Sequence, residues 1–263
     1  MKTAIQVNNR INHLFKHKSR NILSVYFTAG YPRIEDTRPT IEALSACGVD
    51  LIEIGIPFSD PVADGPTIQA SSQTALDNGM TLAKLFTQIK DIRKSVDIPL
   101  ILMGYVNPIL QFGLEEFCKN ARSAGIDGLI VPDLPMQEYL EQYKVLFDQN
   151  ALHNIFLISP QTSPERIRLI DENTDGFIYM VSSASITGAK SGITPEQERY
   201  FERINAMSLK NPTLIGFGIS NKATFDKACA YARGAIIGSA FIKSLDKEKD
   251  LKGSITDFMH TIK

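Results

Sequence analysis

Short apolar runs alternate with longer amphipathic stretches along almost the whole chain. Runs of five or six residues rich in β-branched and apolar side chains are typical of buried strands. We predict eight of them: Ile22–Phe27, Asp50–Gly55, Pro99–Gly104, Gly128–Pro132, Asn154–Ser159, Gly176–Val181, Thr213–Gly218 and Gly234–Gly238. Between them, apolar positions recur at the helical period. This period predicts helices over Thr37–Ala46, Leu82–Ser95, Leu114–Ala124, Gln137–Gln149, Pro164–Glu172, Pro195–Ser208 and Lys222–Ala230.

The alternation of strands and helices indicates βαβ units and a parallel sheet. From Ile22 to the end there are 242 residues, or about 30 for each of eight units, the size of a compact βα repeat. Eight such units favour a closed (β/α)8 TIM barrel over an open doubly wound sheet. Because no linker-like stretch divides the chain, we predict a single domain over residues 1–263.

The segment before the first strand predicts a short extra helix at the N-terminus. Ile5, Ile11, Leu14 and Phe15 are spaced for one apolar helix face. The segment is also basic and free of acidic residues up to Glu35, which is typical of a transit peptide. We favour a helix of the mature fold because a strand follows directly.

Composition disfavours a nucleic-acid-binding protein, a membrane-spanning protein and a protein held together by zinc or disulfides. The 28 Lys and Arg residues balance 29 Asp and Glu residues, so no basic face is expected for nucleic-acid binding. The longest apolar run, Ile98–Gly104, is too short to span a bilayer. Three widely spaced cysteines, Cys47, Cys118 and Cys229, form neither a zinc motif nor a disulfide pattern. They predict small core residues in a reducing compartment, the cytoplasm.

The barrel prediction directs attention to the carboxyl ends of the strands, where active sites of this fold lie. In the second strand, the period of two places Leu51, Glu53 and Gly55 on the inward face. Burial of a carboxylate raises its pKa and suits it to proton transfer. The alternative is a structural ion pair, whose cation would have to come from a loop because the predicted strands contain no Lys or Arg.

The loop that follows the second strand brings more carboxylates to the same end of the barrel. Asp64 is the stronger candidate there, although it could instead cap a helix that begins near Pro66. Asp133, after the fourth strand, is a weaker candidate because Asp is also an ordinary turn residue.

Glycines precede helices after the seventh and eighth strands, at Gly216–Ser220 and Gly238–Ser239. Backbone N–H groups at such positions bind phosphate in barrels of this class. The small polar loop over residues 182–192 could add donors or act as a mobile lid. No strand carries a lysine for a Schiff base, and no histidine ends a strand. Carboxylate acid–base chemistry on a phosphorylated substrate, without a cofactor or metal, is therefore the expectation.

The segment Leu51–Gln69, which reads LIEIGIPFSDPVADGPTIQ, closely resembles the signature of the tryptophan synthase alpha chain family. Similar matches are TAGYP at Thr28–Pro32, MGYVNP at Met103–Pro108, VPDLP at Val131–Pro135, ITG at Ile186–Gly188 and GFGIS at Gly216–Ser220. The likeness runs nearly from end to end. Two departures are Tyr26, where members often have Phe, and Ser183–Ser185, where a glycine commonly precedes the ITG motif.

The resemblance implies a (β/α)8 lyase of L-tryptophan biosynthesis that splits indole-3-glycerol phosphate into indole and glyceraldehyde 3-phosphate. It implies an α2β2 complex with a beta chain that carries pyridoxal phosphate, and no cofactor in this chain. The family motifs assign Glu53 and Asp64 to the catalytic pair and Tyr179, close to that glutamate, to the catalytic residues as well. They assign the binding residues as follows: Tyr26 and Phe217 to the substrate pocket, Thr187 to the lid, and Gly188, Gly218, Gly238 and Ser239 to the phosphate cradle.

Three alternatives remain at this point. The chain could be a stand-alone lyase that releases free indole, another phosphate-binding barrel such as a sugar-phosphate isomerase, or a non-catalytic barrel that activates a partner. The presence of both Glu53 and Asp64 disfavours the last of these.

Overall fold

The fold is a parallel barrel surrounded by helices. The computed structural model describes residues 9–181, 193–216, 218–245 and 250–263. Its strand segments are β1 Ile22–Thr28, β2 Leu51–Gly55, β3 Leu100–Met103, β4 Gly128–Ile130, β5 His153–Asn154, β6 Leu157–Ile158, β7 Ile178–Val181, β8 Thr213–Gly216 and β9 Gly234–Ile237. Their order in the sheet is β5-β4-β3-β2-β1-β9-β8-β7-β6, with every pair parallel.

The predicted fifth strand is divided into two short segments. Between β5 and β6, the Ile155 amide donates to the Leu129 carbonyl at 2.9 Å, and the Phe156 carbonyl accepts from the Tyr179 amide at 3.0 Å. The interrupted stretch therefore hydrogen-bonds to both neighbouring strands and closes the sheet. Since β5 and β6 occupy one strand position, the predicted (β/α)8 barrel is confirmed.

The helices are α1 Arg10–His17, α2 Thr37–Ala46, α3 Pro66–Asp77, α4 Leu82–Ile89, α5 Val106–Phe112, α6 Leu114–Ser123, α7 Met136–Glu138, α8 Lys144–Gln149, α9 Pro164–Asn173, α10 Pro195–Ala206, α11 Lys222–Cys229, α12 Ser239–Ser244 and α13 Leu251–Ile262. A π-helical turn, Tyr139–Tyr143, joins α7 to α8, and 3₁₀ turns lie at Ile34–Asp36 and Ile92–Lys94. None of the helices in these described ranges is long and apolar enough to cross a membrane.

Most predicted helices are confirmed within one or two residues, and α2 has the predicted bounds. The stretch predicted over Leu82–Ser95 is shorter because Lys90, with ψ at 135°, leaves the helical conformation and ends α4 at Ile89. Asp91 then has a left-handed backbone, with φ at 60°, before the 3₁₀ turn. Helices α5 and α13 were not predicted from the sequence.

The barrel strands separate two apolar cores. Ile52, Ile54 and Ile56 belong to the larger core, between the strands and the outer helices. Leu51 belongs to the smaller core inside the barrel, together with residues such as Ile101 and Leu214. The predicted alternation along the second strand is therefore confirmed, and it places Glu53 inside the barrel.

The N-terminal helix α1 closes the end of the barrel at which the strands begin. Ile11 is fully buried in the inner core, and the ring of Phe15 lies 5.7 Å from that of Phe177. Asn12 Oδ1 is 2.6 Å from His153 Nε2. The predicted N-terminal helix is confirmed from Arg10 onward, whereas Ile5 lies outside the described residues.

A buried carboxylate at this closed end is held by two cations. Asp127 Oδ2 lies 2.6 Å from Arg93 Nη2, and Asp127 Oδ1 lies 3.1 Å from Arg10 Nη1. The Leu100 amide also donates to Asp127 Oδ2, at 3.0 Å. These contacts tie α1, β3 and the start of β4 together below the barrel.

The cysteine prediction is only partly confirmed. Cys118 is fully buried on α6, but Cys47 and Cys229 are half-buried at the ends of α2 and α11. All three are free thiols. Helix ends lie nearer to solvent than helix centres do, and Cys47 and Cys229 lie at such ends.

Candidate active site

Glu53 is an inward-facing carboxyl on β2 with no exposed surface. The Ser24 hydroxyl donates to its Oε1 at 2.8 Å, and Oε2 accepts no hydrogen bond within the described ranges. Burial raises the pKa of Glu53 to about 8, against a smaller opposing effect of the Ser24 hydrogen bond. Since no Lys or Arg of the described chain pairs with this carboxylate, the structure does not support the ion-pair alternative.

Asp64 is the second buried carboxyl at this end of the barrel. Its Oδ2 accepts a hydrogen bond of 3.0 Å from the Tyr105 hydroxyl, whose oxygen in turn accepts from the Ala63 amide at 3.1 Å. Burial raises the pKa of Asp64, and the Tyr105 hydrogen bond opposes this rise. Gly65 is the N-cap of α3 and receives no side-chain cap, so the alternative in which Asp64 caps this helix is wrong.

Two inward tyrosines lie beside these carboxyls. A Cβ atom at Gly55 would collide with the ring and hydroxyl of Tyr26, and one at Gly216 would collide with those of Tyr179. Burial raises the pKa of both tyrosines, and the charges of Asp64 and Glu53 raise it further. The structure therefore brings Glu53, Asp64, Tyr26 and Tyr179 to one end of the barrel, the end we call the mouth.

Apolar side chains line the mouth around the carboxyls. Met103, Leu157 and Val181 lie at or near the carboxyl ends of β3, β6 and β7, and each is only partly buried against the inner core. Tyr26 also packs with Ile68 and Ile242 in a small third cluster. The mouth therefore presents an apolar wall next to acid–base groups.

Part of the predicted phosphate cradle lies in the described residues. Gly218 has a φ of 78° in the loop before α11, and Gly238 directly precedes α12, which begins at Ser239. The first N–H groups of a helix have no partner within it and are available to an anion. Thr187, Gly188 and Phe217 lie outside the described residues, as does the predicted lid over 182–192.

Two residues of this site were not predicted from the sequence. Tyr105 stood in the quoted MGYVNP motif without a role, and Ser24 is an inward residue of β1 that no motif singles out. Inward alternation along β1 was a usable signal for Ser24. Asp133, by contrast, is exposed and accepts from the Val106 amide at the start of α5, which supports the structural interpretation of that residue.

The described residues contain no group of three or more His, Cys, Asp or Glu side chains that could hold a metal ion. His153 lies at the start of β5, at the closed end of the barrel and away from the carboxyls at the mouth. The acid–base groups at the mouth are carboxyls and tyrosine hydroxyls.

A parallel (β/α)8 barrel with two buried carboxyls at the carboxyl ends of its strands has the architecture of the barrel enzymes, whose active sites lie at that end. The sequence profile of the family described as "Tryptophan synthase alpha chain" matches residues 13–261. The chain belongs to the tryptophan synthase alpha chain family, the carbon–carbon lyases that cleave indole-3-glycerol phosphate in tryptophan biosynthesis. Alpha chains of this family form a complex with a beta chain, to which the pyridoxal phosphate belongs.

Individual relatives agree with this assignment. The chain is 58% identical over 240 residues to the tryptophan synthase alpha chain of Phocaeicola vulgatus, covering 91% of this chain and 93% of the relative. It is 60% identical over 237 residues to that of Flavobacterium psychrophilum, covering 90% and 93%.

Solved structures of the family share the fold. The crystal structure of the alpha chain from Legionella pneumophila has a TM-score of 0.86 and 32% identity, covering 97% of this chain and 96% of that one. A chain of tryptophan synthase from M. tuberculosis, in an aminoacrylate-bound form, has a TM-score of 0.83 and 28% identity, covering 97% and 100%.

Proposed function

We propose that Glu53 and Asp64 carry out the cleavage of indole-3-glycerol phosphate by acid–base and electrostatic catalysis. The observation that carries this proposal is the burial of both carboxyls at the mouth without a paired cation in the described ranges. A carboxyl whose pKa is raised to about 8 is largely protonated near neutral pH. Glu53 can therefore begin the reaction as an acid.

The reaction needs an electron sink for the carbon–carbon bond that breaks. Glu53 delivers its proton to C3 of the indole ring, which converts the ring into a cationic indolenine that can accept the bonding electrons. The Glu53 carboxylate then takes the proton of the glycerol hydroxyl while that carbon becomes the aldehyde of glyceraldehyde 3-phosphate. The bonding electrons return to the ring and release indole, so that the proton on Glu53 is restored.

Asp64 supports this step through the ring nitrogen. As a carboxylate it accepts a hydrogen bond from the indole N–H and stabilises the positive charge that develops there. Tyr105 fixes the orientation of Asp64 through the bond to Oδ2. We assign Tyr179 to the surroundings of Glu53, where its hydroxyl experiences the charge of that glutamate.

The remaining site residues have binding roles in this proposal. Partly buried apolar side chains at the mouth contact the indole ring, with Tyr26 and Phe217 in the same pocket. Backbone N–H groups around the predicted cradle bind the phosphate, and Thr187 belongs to the lid beside Asp64. The proposed cradle consists of Gly188, Gly218, Gly238 and Ser239.

The proposal also covers the cofactor, the cellular location, the assembly and the domain organisation of the protein. The chain needs no cofactor of its own, because the substrate ring is the electron sink. It works in the cytoplasm, as an α2β2 tetramer with the beta chain. Residues 1–263 form one domain, since the helices near both chain ends, α1 and α13, pack on the same barrel and its outer helices.

The test is indole release from indole-3-glycerol phosphate in the presence of the beta chain. We expect Glu53→Gln and Asp64→Asn each to lower kcat by about 10²–10⁴-fold, the usual contribution of a general acid or base. The matched control is Asp171→Asn, which changes another buried carboxyl, one that accepts from the Lys210 and Asn211 amides away from the mouth. Equal rates for wild type and Glu53→Gln would contradict the acid–base assignment.

A further inference from the structure

We propose that Ser24 is a positioning residue for the reaction: its hydroxyl fixes Oε1 of Glu53 as an acceptor, so that the transferable proton resides on Oε2. This inference deepens the proposed function and rests on the role of Glu53 given there. Ser24 itself does not touch the reacting atoms. It acts through the carboxyl.

The strand register places the two side chains together. Tyr26 is the neighbour of Glu53 across the β1–β2 pair, and Ser24, two residues earlier, has the same inward direction. Ser24 is fully buried, as Glu53 is. Their 2.8 Å hydrogen bond therefore forms in the barrel interior, where a hydrogen bond is stronger than it is in contact with water.

The two oxygens of Glu53 have different surroundings. Oε1 accepts from Ser24, whereas Oε2 is buried and receives no hydrogen bond within the described ranges. A serine hydroxyl has one proton to donate. While that proton is donated to Oε1, a neutral Glu53 must carry its own proton on Oε2, the oxygen that has no hydrogen-bond partner within the described ranges.

A neutral donor suits this position better than a cation. An adjacent Lys or Arg would stabilise the ionised carboxylate and lower the pKa of Glu53 far below neutrality. The Ser24 hydroxyl lowers that pKa only against the larger effect of burial, and the result remains about 8. Ser24 thus orients the carboxyl and leaves it protonated at the start of the reaction.

The other titratable groups near Glu53 have separable effects on the pH profile. Among the described residues they are Tyr26 on β1, Tyr179 on β7 and Asp64 in the loop after β2. Both tyrosines stay neutral because burial raises their pKa. Asp64 must be ionised to stabilise the positive charge that develops at the indole nitrogen, so its protonation lowers activity on the acid side. The alkaline limb of the profile therefore reports Glu53.

The experiment measures kcat/KM against pH in the complex with the beta chain. For wild type the alkaline limb is expected near the Glu53 pKa of about 8. In Ser24→Ala the opposing hydrogen bond is absent, so we expect the limb to move to higher pH by about one unit, with kcat lowered roughly tenfold. Ser24→Cys retains a weak donor of similar size, and its limb should lie between the two.

A matched control separates this effect from packing. Ser71→Ala also removes a buried hydroxyl, on α3, where Ser71 contacts Thr28 and the Ile68 carbonyl. Its alkaline limb should coincide with that of wild type. An unmoved limb in Ser24→Ala, with activity lowered or not, would show that Ser24 only fills space and would overturn the inference.

A second readout does not depend on turnover. The infrared carbonyl band of protonated Glu53 is identified as the band that Glu53→Gln removes. In Ser24→Ala and Ser24→Cys this band should shift in frequency and titrate at higher pH than in wild type. If Glu53→Gln is inactive while neither Ser24 variant moves the band or the limb, the Ser24 inference fails and the proposed function stands. If Glu53→Gln retains full activity, the proposed function itself fails.

Discussion

Glu53 and Asp127 are two carboxyls buried to nearly the same extent at opposite ends of one barrel, with opposite surroundings. Asp127 is held by Arg93, Arg10 and a backbone amide at the closed end. Glu53 receives one hydroxyl at the mouth, and its pKa is raised to about 8. Burial alone therefore does not decide the role of a carboxyl. A carboxyl that is paired with a cation, as Asp127 is, stabilises the fold, whereas one without a paired cation, as Glu53 is, can carry a proton.

The largest loss of stability is expected when Asp127, the carboxyl held by two cations at the closed end, loses its charge. Asp127→Asn leaves the guanidinium of Arg93 buried without its counter-charge, and breaking such a pair costs about 3–5 kcal/mol of unfolding free energy. Chemical denaturation measures this loss. Asp50→Asn is the matched control, because its Lys18 partner is 40% exposed and the loss should be smaller. Similar losses for both variants would contradict the comparison.

Neutralising Glu53, the carboxyl at the mouth, should change the free energy of unfolding in the opposite direction and stabilise the protein. The pKa of Glu53 is about 8 in the folded chain and near its ordinary value of 4.5 in the unfolded chain. Between these values the folded state binds more protons, so wild-type stability falls as pH rises, by up to about 1.4 kcal/mol per pH unit. Glu53→Gln has no ionisable group at this position, so its stability does not fall with pH for this reason.

The measurement is the unfolding free energy of wild type and of Glu53→Gln at about pH 5 and about pH 8. Glu53→Gln should gain on wild type between the two pH values. An unchanged difference would mean that Glu53 titrates normally in the folded chain, and the contrast with Asp127 would disappear.

Gly216 tests how tightly the side chains at the mouth are packed around Tyr179. A Cβ there would collide with the buried ring of Tyr179, so Gly216→Ala should cost about 1–3 kcal/mol through overpacking. Gly238→Ala is the control for stability, because its Cβ would lie at an ordinary 3.5 Å from Tyr26. Thermal unfolding of the two variants compares them, and a loss in Gly216→Ala no greater than in Gly238→Ala would contradict the packing argument.

The smallest loss of stability is expected for Arg10, the more exposed of the two cations that pair with Asp127. Arg10 has a side chain that is 41% exposed, whereas that of Arg93 is 16% exposed. Solvent screens the Arg10 pair, so Arg10→Gln should cost no more than about 1 kcal/mol. Denaturant unfolding alongside Arg93→Gln ranks the two cations, and an equal or larger loss for Arg10→Gln would reverse the assignment of Arg93 as the main partner.

The sequence predicted the barrel and the inward direction of Glu53 because both depend on local periodicity. Along β2 the period of two alone separates inner from outer side chains. The hydrogen bonds of Ser24 and Tyr105 were not predictable in this way, since their acceptors lie 29 and 41 residues away in sequence. Those pairs exist only after the strand register and loop path are fixed. The interruption between β5 and β6 likewise has no local signal in its apolar run.

The closing of the barrel by α1 has a consequence for the order of events during biosynthesis. Asn12 hydrogen-bonds to His153, which is 141 residues later in the chain, and Asn9 contacts the Asp127 carbonyl. At translation rates of about 5–20 residues per second, Asn12 is added to the chain roughly 7–28 seconds before His153. An element that is made early thus waits for partners that are made much later, and the buried face of α1 stays without its native contacts in that interval.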